Sequence, residues 1–236
     1  GKTLNRYPDV FDTLFSSGHW PQVCLDYTSS QDFKKFYPLN LMETGFDILN
    51  QWVLRMIMLG LYVTNEVPFK QVYLHGLVLD KHGQKMSKSK GNVVDPIGLV
   101  NDYGSDALRL GVIAGQTAGQ NQPFGVDKVK AGRNFCNKLW NVARFCELKF
   151  DGKQVLGVEP KPINAADHWI LHKLQQTATS VSTSVEKYRL GQAYETLYHF
   201  VWDDFADWYI EASKLSVNQS VLAHVLTSTL AMAHPF

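Results

Sequence analysis

The chain has 236 residues, enough for one large or two modest domains, and its 45% content of hydrophobic residues is ordinary for a globular protein. Lysine and arginine (23) nearly balance aspartate and glutamate (22), which excludes a strong overall field that would by itself recruit nucleic acid. The three cysteines lack both the spacing of a zinc site and the even number of a disulfide framework, so we expect a reducing, cytoplasmic setting and no metal ligands.

Short apolar runs punctuated by glycine and proline give way near residue 125 to long stretches at helical spacing, which predicts a first domain over residues 1–125 and a second over 126–236. In the first, the apolar stretch from Ile48 to Val63 is too short for a membrane span and carries Arg55. We therefore expect a buried helix and no membrane partner. Asp47 is placed to cap this helix, and Trp52 would lie on its buried face.

A strand and a lysine-rich loop come next. The residues from Gln71 to Leu74 favour a buried strand, which leads through His75-Gly76 into a loop over residues 80–92. The loop contains four lysines and a glycine near each end. This composition predicts a mobile, cationic segment that does not pack against the rest of the protein.

The residues beyond the loop predict helices. Asp95-Pro96 is typical of a helix start, and Ser105 or Asp106 is placed to cap a second short helix. Four longer apolar stripes at helical spacing follow and would form a bundle, so the fold class is α/β followed by an incomplete all-α bundle. The stripes run from Phe135 to Phe145, from Leu171 to Tyr188, from Leu197 to Trp208 and from about Val221 to Met232.

Basic residues crowd the first of these helices. They could meet RNA phosphates or form an ordinary solvated face, and the sequence leaves both interpretations open. We expect the aromatic residues of the bundle to be core rather than platforms for RNA bases. The basic residues are Lys128, Lys130, Arg133, Lys138 and Arg144.

The most specific pattern is the run Lys85-Met86-Ser87-Lys88-Ser89, which lies between two glycines. Mobile lysines and hydroxyl groups suit a reaction in which negative charge develops on departing pyrophosphate, although a solvated lysine loop would have the same composition. The run resembles the KMSKS loop of class I aminoacyl-tRNA synthetases. The resemblance implies catalytic roles for Lys85 and Lys88, and ATP binding by Met86, Ser87 and Ser89.

A second segment, Thr44-Gly45-Phe46-Asp47 followed by Trp52, resembles the adenylate pocket of the valyl, isoleucyl and leucyl subgroup. The resemblance implies that Thr44 and Gly45 approach the ribose of ATP, that Asp47 binds the amino acid's ammonium group and that Trp52 walls its side-chain pocket. The alternative is a plain helix cap for Asp47 and a plain core position for Trp52. His75, Gly76 and Val78 would lie along the adenine, although His75 could also be purely structural.

Within the subgroup, the residues around 45–49 and 55–58 resemble the valine enzymes most. The segment from Asp9 to Ser17 also resembles them, apart from Leu14, where the family usually has tryptophan. The helical part, including Asp167-His168-Trp169, resembles their anticodon-binding bundle. The first domain would then be the second half of a Rossmann-type nucleotide-binding domain with its connecting segment.

The resemblance implies ATP-dependent activation of valine and its transfer to tRNA(Val), with Mg²⁺ carried by ATP. The His-Ile-Gly-His signature of the other Rossmann half and an editing domain are not in this sequence. We therefore expect a fragment that is inactive alone and that needs the remainder of the same polypeptide as its partner. The alternatives are an isoleucyl or leucyl relative, or a non-catalytic tRNA-binding accessory protein.

Overall fold

The computed structural model describes residues 6, 8–153, 155 and 157–236, with Lys88 described in its backbone but not its side chain. These residues form two compact units, Gly1–Gly76 and Leu77–Phe236. The composition change near residue 125 lies inside the second unit, and the domain boundary at that position stays a prediction.

The first unit is built on two parallel strands. Strand β1 (Leu39–Gly45) pairs with β2 (Phe69–His75) along its whole length, from Leu39 opposite Phe69 to Gly45 opposite His75. Parallel neighbours need a crossover connection, which here is helical throughout. The crossover consists of a 3₁₀ turn Phe46–Ile48, a π-helical turn Leu49–Val53 and helix α4 (Leu54–Thr64). In the described part of the chain, three short helices precede β1: α1 (Thr13–Ser17), α2 (Trp20–Cys24) and α3 (Gln31–Phe36).

One face of the crossover forms the core of this unit, where Val53 and Met56 pack with Phe69 of β2. Gly60 allows close packing there, since a Cβ atom on it would lie 2.9 Å from Cδ of Pro68. The opposite face is exposed, and the expectation of a buried helix is therefore wrong for that face. Its exposed apolar residues are Leu54, Met58, Leu61 and Tyr62.

The helical run Phe46–Thr64 has 19 residues and is long and apolar enough to cross a membrane by length and composition alone. In the structure it joins the two paired strands and covers them through its buried face.

The second unit begins with the lysine loop and two short helices. Strand β3 (Val78–Leu79) pairs in parallel with β4 (Gln122–Pro123), and helices α5 (Pro96–Tyr103) and α6 (Ser105–Ile113) lie between them in sequence. Asp95 caps α5, because its carboxylate accepts the amide hydrogens of Ile97 and Gly98 at 3.0 and 3.1 Å. The predicted cap of α6 is wrong. That helix follows Gly104, whose φ of +94° suits glycine, and no side chain caps it.

The rest of the unit is a helical bundle, as predicted. A single core includes Phe135, Ile170, Leu197 and Val221, one residue from each of the four main helical segments. The segments are α7 (Val126–Phe150), α8 (Ala165–Glu186), α9 (Leu190–His199) continued by a π-helical segment Phe200–Tyr209 and α10 (Ile210–Ser213), and α11 (Gln219–Ala233).

The π-helical segment corrects the predicted third stripe, which ended on Trp208. That side chain is 70% exposed, and Tyr209 is buried in its place. Hydrogen bonds from i to i+5 widen the turn, so residues four apart remain on one face. Leu197, Val201, Phe205 and Tyr209 follow this spacing and are all buried.

A buried carboxylate joins three segments of the bundle. Asp167 of α8 accepts hydrogen bonds from the Tyr209 hydroxyl at 2.7 Å, from the Asn218 carboxamide at 2.6 Å and from the Ile163 amide at 3.0 Å. Asn218 is also the N-cap of α11, where its Oδ1 accepts from the Val221 amide. Burial of an unpaired carboxylate is costly, so these partners fix the relative positions of the three segments.

Candidate functional site

In the first unit, the predicted site residues lie at the carboxyl ends of the paired strands. Thr44 and Gly45 end β1 and are buried, and their register partners on β2 are Leu74 and His75. In open α/β sheets this edge is where ligands bind. Gly76 follows at once, half-buried.

Gly45 brings two predicted side chains together. A Cβ atom at this position would lie 2.7 Å from Oδ1 of Asp47 and 3.5 Å from Nε2 of His75. Any larger residue would therefore displace the Asp47 carboxylate. Asp47 itself lies within the 3₁₀ turn rather than before it, and Gly45 is the N-cap residue, so the prediction that Asp47 caps the helix is wrong. Its carboxylate instead lies beside the Gly45 backbone.

His75 has an acidic neighbour, Glu43, that the motif resemblance does not include. Nδ1 of His75 forms a hydrogen bond with Oε1 of Glu43, and the contact is an ion pair when the imidazole is protonated. Burial, followed by the charge of Glu43, raises the pKa of the Tyr73 hydroxyl. The two-residue period of strands could have revealed this group, since Glu43 lies on the same face of β1 as Gly45.

Trp52 lies in the π-helical turn of the crossover and is partly buried. Its indole Nε1 donates a 3.0 Å hydrogen bond to the carbonyl of Ser17 in α1, and the ring packs against the Val53, Met56 and Phe69 core. The structure thus places Trp52 in the core, which was the alternative to a role in the amino acid pocket. Its role as a pocket wall stays a prediction.

In the second unit, the lysine loop is closed at its base by Asp80. This buried carboxylate accepts the amide hydrogens of His82 and Gln84 through Oδ1, at 2.9 and 2.8 Å. The hydrogen bonds from Gln84 and from the Asn92 side chain hold the pKa of Asp80 below its usual value. Gly83 turns the chain with φ of +77°, which glycine adopts readily.

The loop also packs. Met86 is half-buried against a core of Leu99, Ala107, Phe124 and Val129, so the expectation of a loop that does not pack is wrong. Lys85 forms an isolated antiparallel bridge with Leu79.

Asn92 fastens the far end of the loop. Its Oδ1 accepts the amide hydrogen of Ser87 at 2.9 Å, and its Nδ2 donates to Oδ2 of Asp80 at 2.8 Å and to the carbonyl of Lys85 at 3.3 Å. Neither Asp80 nor Asn92 was predicted from the sequence to have a role. The available signal was the placement of two Asx residues at the two ends of a glycine-bearing loop.

The hydroxyl groups of Ser87 and Ser89 lie 3.2 Å apart, close enough to bind one shared acceptor. The backbone of Lys88 begins a 3₁₀ turn that ends at Lys90, and the side chain of Lys88, a predicted catalytic group, lies outside the described part of the structure. Val78 lies in β3, where the carbonyls of Leu77 and Leu79 accept from the amides of Gln122 in β4 and of Phe124 just after it. The backbone groups of Val78 therefore face away from β4.

Within the described residues, no group of three His, Cys, Asp or Glu side chains is arranged to hold a metal ion.

Three of the five basic residues on α7 hold that helix to its neighbours. Lys138 pairs with Asp207 at 2.6 Å and lies over the Trp202 ring. Lys128 donates to the carbonyl of Ala114, and its burial lowers its pKa. Arg133 donates to another backbone carbonyl. A structural role is thus observed for these three, while Lys130 and Arg144 are exposed.

Comparisons with known proteins identify the family and the fold. Residues 1–123 match the family model "tRNA synthetases class I (I, L, M and V)", and residues 167–236 match "Anticodon-binding domain of tRNA ligase". The chain is 44% identical to the valine–tRNA ligase of Geobacillus kaustophilus over 97% of its own length, and 42% identical to that of Dehalococcoides mccartyi strain CBDB1 over 100%. It spans 28% of the length of each of these relatives.

Solved structures show the same fold at lower identity. The Agrobacterium radiobacter K84 LeuRS-tRNA-LeuAMS ternary complex has a TM-score of 0.84 at 21% identity, over 98% of this chain and 31% of that one. Mycobacterium tuberculosis methionyl-tRNA synthetase bound by methionyl-adenylate has a TM-score of 0.68 at 22% identity, over 86% and 42%. The predicted family and fold class are confirmed: the chain belongs to the class I tRNA synthetases of the I, L, M and V group.

Proposed function

We propose that the chain is part of a valine–tRNA ligase and contributes to ATP-dependent activation of valine and its transfer to tRNA(Val). The observation that carries this proposal is the identity of 42–44% with valine–tRNA ligases across nearly all of the chain. Two features add support, each within its own unit: the Asp47 carboxylate lies beside the backbone of Gly45 in the first, and the second carries the lysine loop.

The reaction has two steps. In the first, the valine carboxylate attacks the α-phosphate of ATP, which forms valyl-adenylate and expels pyrophosphate. In the second, a terminal hydroxyl of the tRNA attacks the acyl carbon and releases AMP. Negative charge builds on the departing pyrophosphate in the first step, and cations placed there in advance lower the barrier.

The strand-end residues would hold the substrate. Since Gly45 has no side chain, a ribose can approach its backbone, with the Thr44 hydroxyl alongside. The Asp47 carboxylate would pair with the valine ammonium and orient the carboxylate for attack. Trp52 would wall the valine side-chain pocket through the part of its ring that is not packed in the core.

The remaining groups would hold ATP. Lys85 and Lys88 would meet the β- and γ-phosphates as point charges, and Ser87 and Ser89 would share one phosphate oxygen between their hydroxyls. Met86 would contact ATP through its exposed part. His75, Gly76 and Val78 would line the adenine, with the ring of His75 oriented by Glu43. Mg²⁺ would be bound by the ATP phosphates.

The chain spans 28% of its relatives' length, so we propose that activity needs the remainder of a longer polypeptide. That polypeptide would work in the cytoplasm. The isolated 236-residue chain should show no amino-acid-dependent exchange of pyrophosphate into ATP.

Pyrophosphate exchange by the longer protein tests the function directly. Valine should support it far better than isoleucine or leucine. Replacement of one cation by Lys85→Ala should lower kcat by about a hundredfold, as removal of a group that stabilises transition-state charge does. Lys81→Ala, an exposed lysine of the same loop, is the matched control and should leave the rate nearly unchanged.

Faster exchange with isoleucine or leucine would move the assignment to one of those relatives. No exchange with any of the three amino acids would favour a non-catalytic tRNA-binding protein.

A further inference from the structure

The lysine loop is held by two short polar side chains that the sequence motif does not include. We propose that Asp80 and Asn92 form a clasp, named here the Asp80–Asn92 clasp, that positions Lys85 and Ser87 for the ATP phosphates. The inference rests on the proposed function, and it assigns positioning roles to two residues that touch no substrate.

The clasp uses all four polar atoms of its two side chains. Asp80 Oδ1 accepts from the amides of His82 and Gln84, and Oδ2 accepts from Asn92 Nδ2 at 2.8 Å. Asn92 Nδ2 also reaches the Lys85 carbonyl at 3.3 Å, and Oδ1 accepts the Ser87 amide hydrogen at 2.9 Å. The two ends of the loop are thereby joined through side chains.

The bonds made by Asn92 lie on the two sides of one residue of the loop. Asn92 holds the backbone on both sides of Met86, and Met86 packs its side chain into the neighbouring core. The segment from Lys85 to Ser87 is therefore attached through Asn92 and through Met86, in addition to the bridge of Lys85 with Leu79. Yet the clasp takes only the carbonyl of Lys85 and the amide of Ser87. It fixes where these two side chains begin without using the ammonium or the hydroxyl.

This arrangement matters for the reaction because electrostatic stabilisation depends on groups that are already in place when charge develops. A lysine has a flexible four-carbon stem, so its ammonium is directed only as well as its backbone is fixed. A loop held only by glycine turns would carry the same charges in many positions. A displacement of about 1 Å can cost about a hundredfold in rate.

Exchange of the two side-chain chemistries gives a sharp test. Asn92→Asp places a second carboxylate at hydrogen-bond distance from Asp80 and removes the Nδ2 donor. The double variant Asp80→Asn/Asn92→Asp restores complementarity: the amide at position 80 donates to the carboxylate at position 92, which still accepts from Ser87. The backbone amides of His82 and Gln84 keep an acceptor, and only the 3.3 Å contact to Lys85 is lost.

The variants are made in the longer protein and compared in valine-dependent pyrophosphate exchange. Asn92→Ala and Asn92→Asp should lower kcat by about ten- to a hundredfold, while the KM for valine stays within about twofold. The double variant should be faster than Asn92→Asp, because the hydrogen bond between positions 80 and 92 returns while the one to the Lys85 carbonyl does not. Asn101→Ala, which removes an exposed asparagine from α5, is the matched control and should match the wild type.

Amide hydrogen exchange identifies a local cause. Asn92→Ala should lower protection of the Ser87 amide at least tenfold and leave amides in the bundle core unchanged. A variant with wild-type kcat, or a double variant no better than Asn92→Asp, would overturn the clasp while the proposed function stood. A wild-type protein without valine-dependent exchange would overturn the proposed function, and the clasp's role with it.

Discussion

Removal of one hydroxyl from the bundle core by Tyr209→Phe should be among the more destabilising conservative substitutions in the chain. The Tyr209 hydroxyl donates a 2.7 Å hydrogen bond to Oδ1 of Asp167, which is 1% exposed. Phenylalanine keeps the packed ring but leaves that carboxylate oxygen without its donor. The other oxygen keeps its bonds from Asn218 and Ile163.

The magnitude follows from the charge of the acceptor. A hydrogen bond to a charged group contributes about 1.5–3 kcal/mol, and a buried oxygen left unpaired tends toward the upper part of that range. We therefore expect the free energy of unfolding to fall by about 2–3 kcal/mol. With a urea m-value of about 2–3 kcal/mol/M, the unfolding midpoint would fall by roughly 1 M.

Urea unfolding of the chain, followed by far-ultraviolet circular dichroism, measures this loss. Tyr194→Phe is the matched control, because Tyr194 is buried in the same core and its hydroxyl has no hydrogen bond among the described residues. The control should change the free energy of unfolding by less than about 0.5 kcal/mol. Equal losses in the two variants would refute the assignment of the stability to the Asp167 hydrogen bond.

The pH dependence gives an independent check. Burial, and then the hydrogen bond to Asp167, raise the pKa of Tyr209 above its usual value, so the folded state keeps the proton longer than the unfolded state does. The stability from this group is complete below the unfolded pKa of about 10 and is lost as pH rises beyond it. The gap between wild type and Tyr209→Phe should therefore narrow in alkali.

Three further outcomes are expected. Gly191→Ala should destabilise the bundle, because the new Cβ atom would lie 2.3 Å from the Gln116 carbonyl oxygen. Overpacking costs about 1–3 kcal/mol, which outweighs a helix-propensity gain of about 1 kcal/mol, and an unchanged urea midpoint would contradict this. An alkylating reagent should modify the exposed Cys24 in the native protein but should modify Cys146 only after unfolding, because Cys146 is buried and its burial raises its pKa to about 12. Equal rates of alkylation of the two cysteines, measured by mass spectrometry, would count against the fold. Because the pKa of Asp80 is lowered in the folded state, its stabilisation of the loop is present above about pH 4 and is lost as pH falls through the folded pKa. Protection of the loop amides from hydrogen exchange should therefore drop in acid before that of the bundle amides.

Periodicity was enough to predict the elements that depend on packing. The bundle helices follow from apolar spacing, and the Asp95 cap follows from a local hydrogen bond that any Asp-Pro pair can form. The β2 strand follows from its β-rich composition, but the expectation that it is buried is wrong, since Gln71 is exposed and the residues from Val72 to Leu74 are half-buried. The register of the third long helix was predicted wrongly at Trp208, because a π-helical segment shifts the buried face by an amount that a 3.6-residue period does not include. The exposed face of α4 was predicted wrongly because apolar composition does not say which neighbours are present.

The site residues also fall into those that the sequence predicts and those that it does not. The motif resemblance selects the residues at the strand ends and in the loop, and the structure brings Gly45, Asp47 and His75 together at one edge of the first unit. It does not select Glu43 or the Asp80–Asn92 clasp, because their roles arise from pairing in space across a strand or a loop. A residue that acts through hydrogen bonds to the backbone does not belong to a recognisable catalytic or binding motif, so the sequence alone does not indicate its role.

This difference bears on how the site is built. At Gly45, the absence of a side chain keeps the Asp47 carboxylate beside the strand end, and at Asn92, a carboxamide holds two backbone groups of the lysine loop. In both places the position of a charged side chain is set by contacts with the backbone. Charges held this way lose little freedom when substrate binds, and the same bonds that stabilise the loop also direct its cations. The groups that hold the backbone should therefore be as sensitive to substitution as the charges themselves.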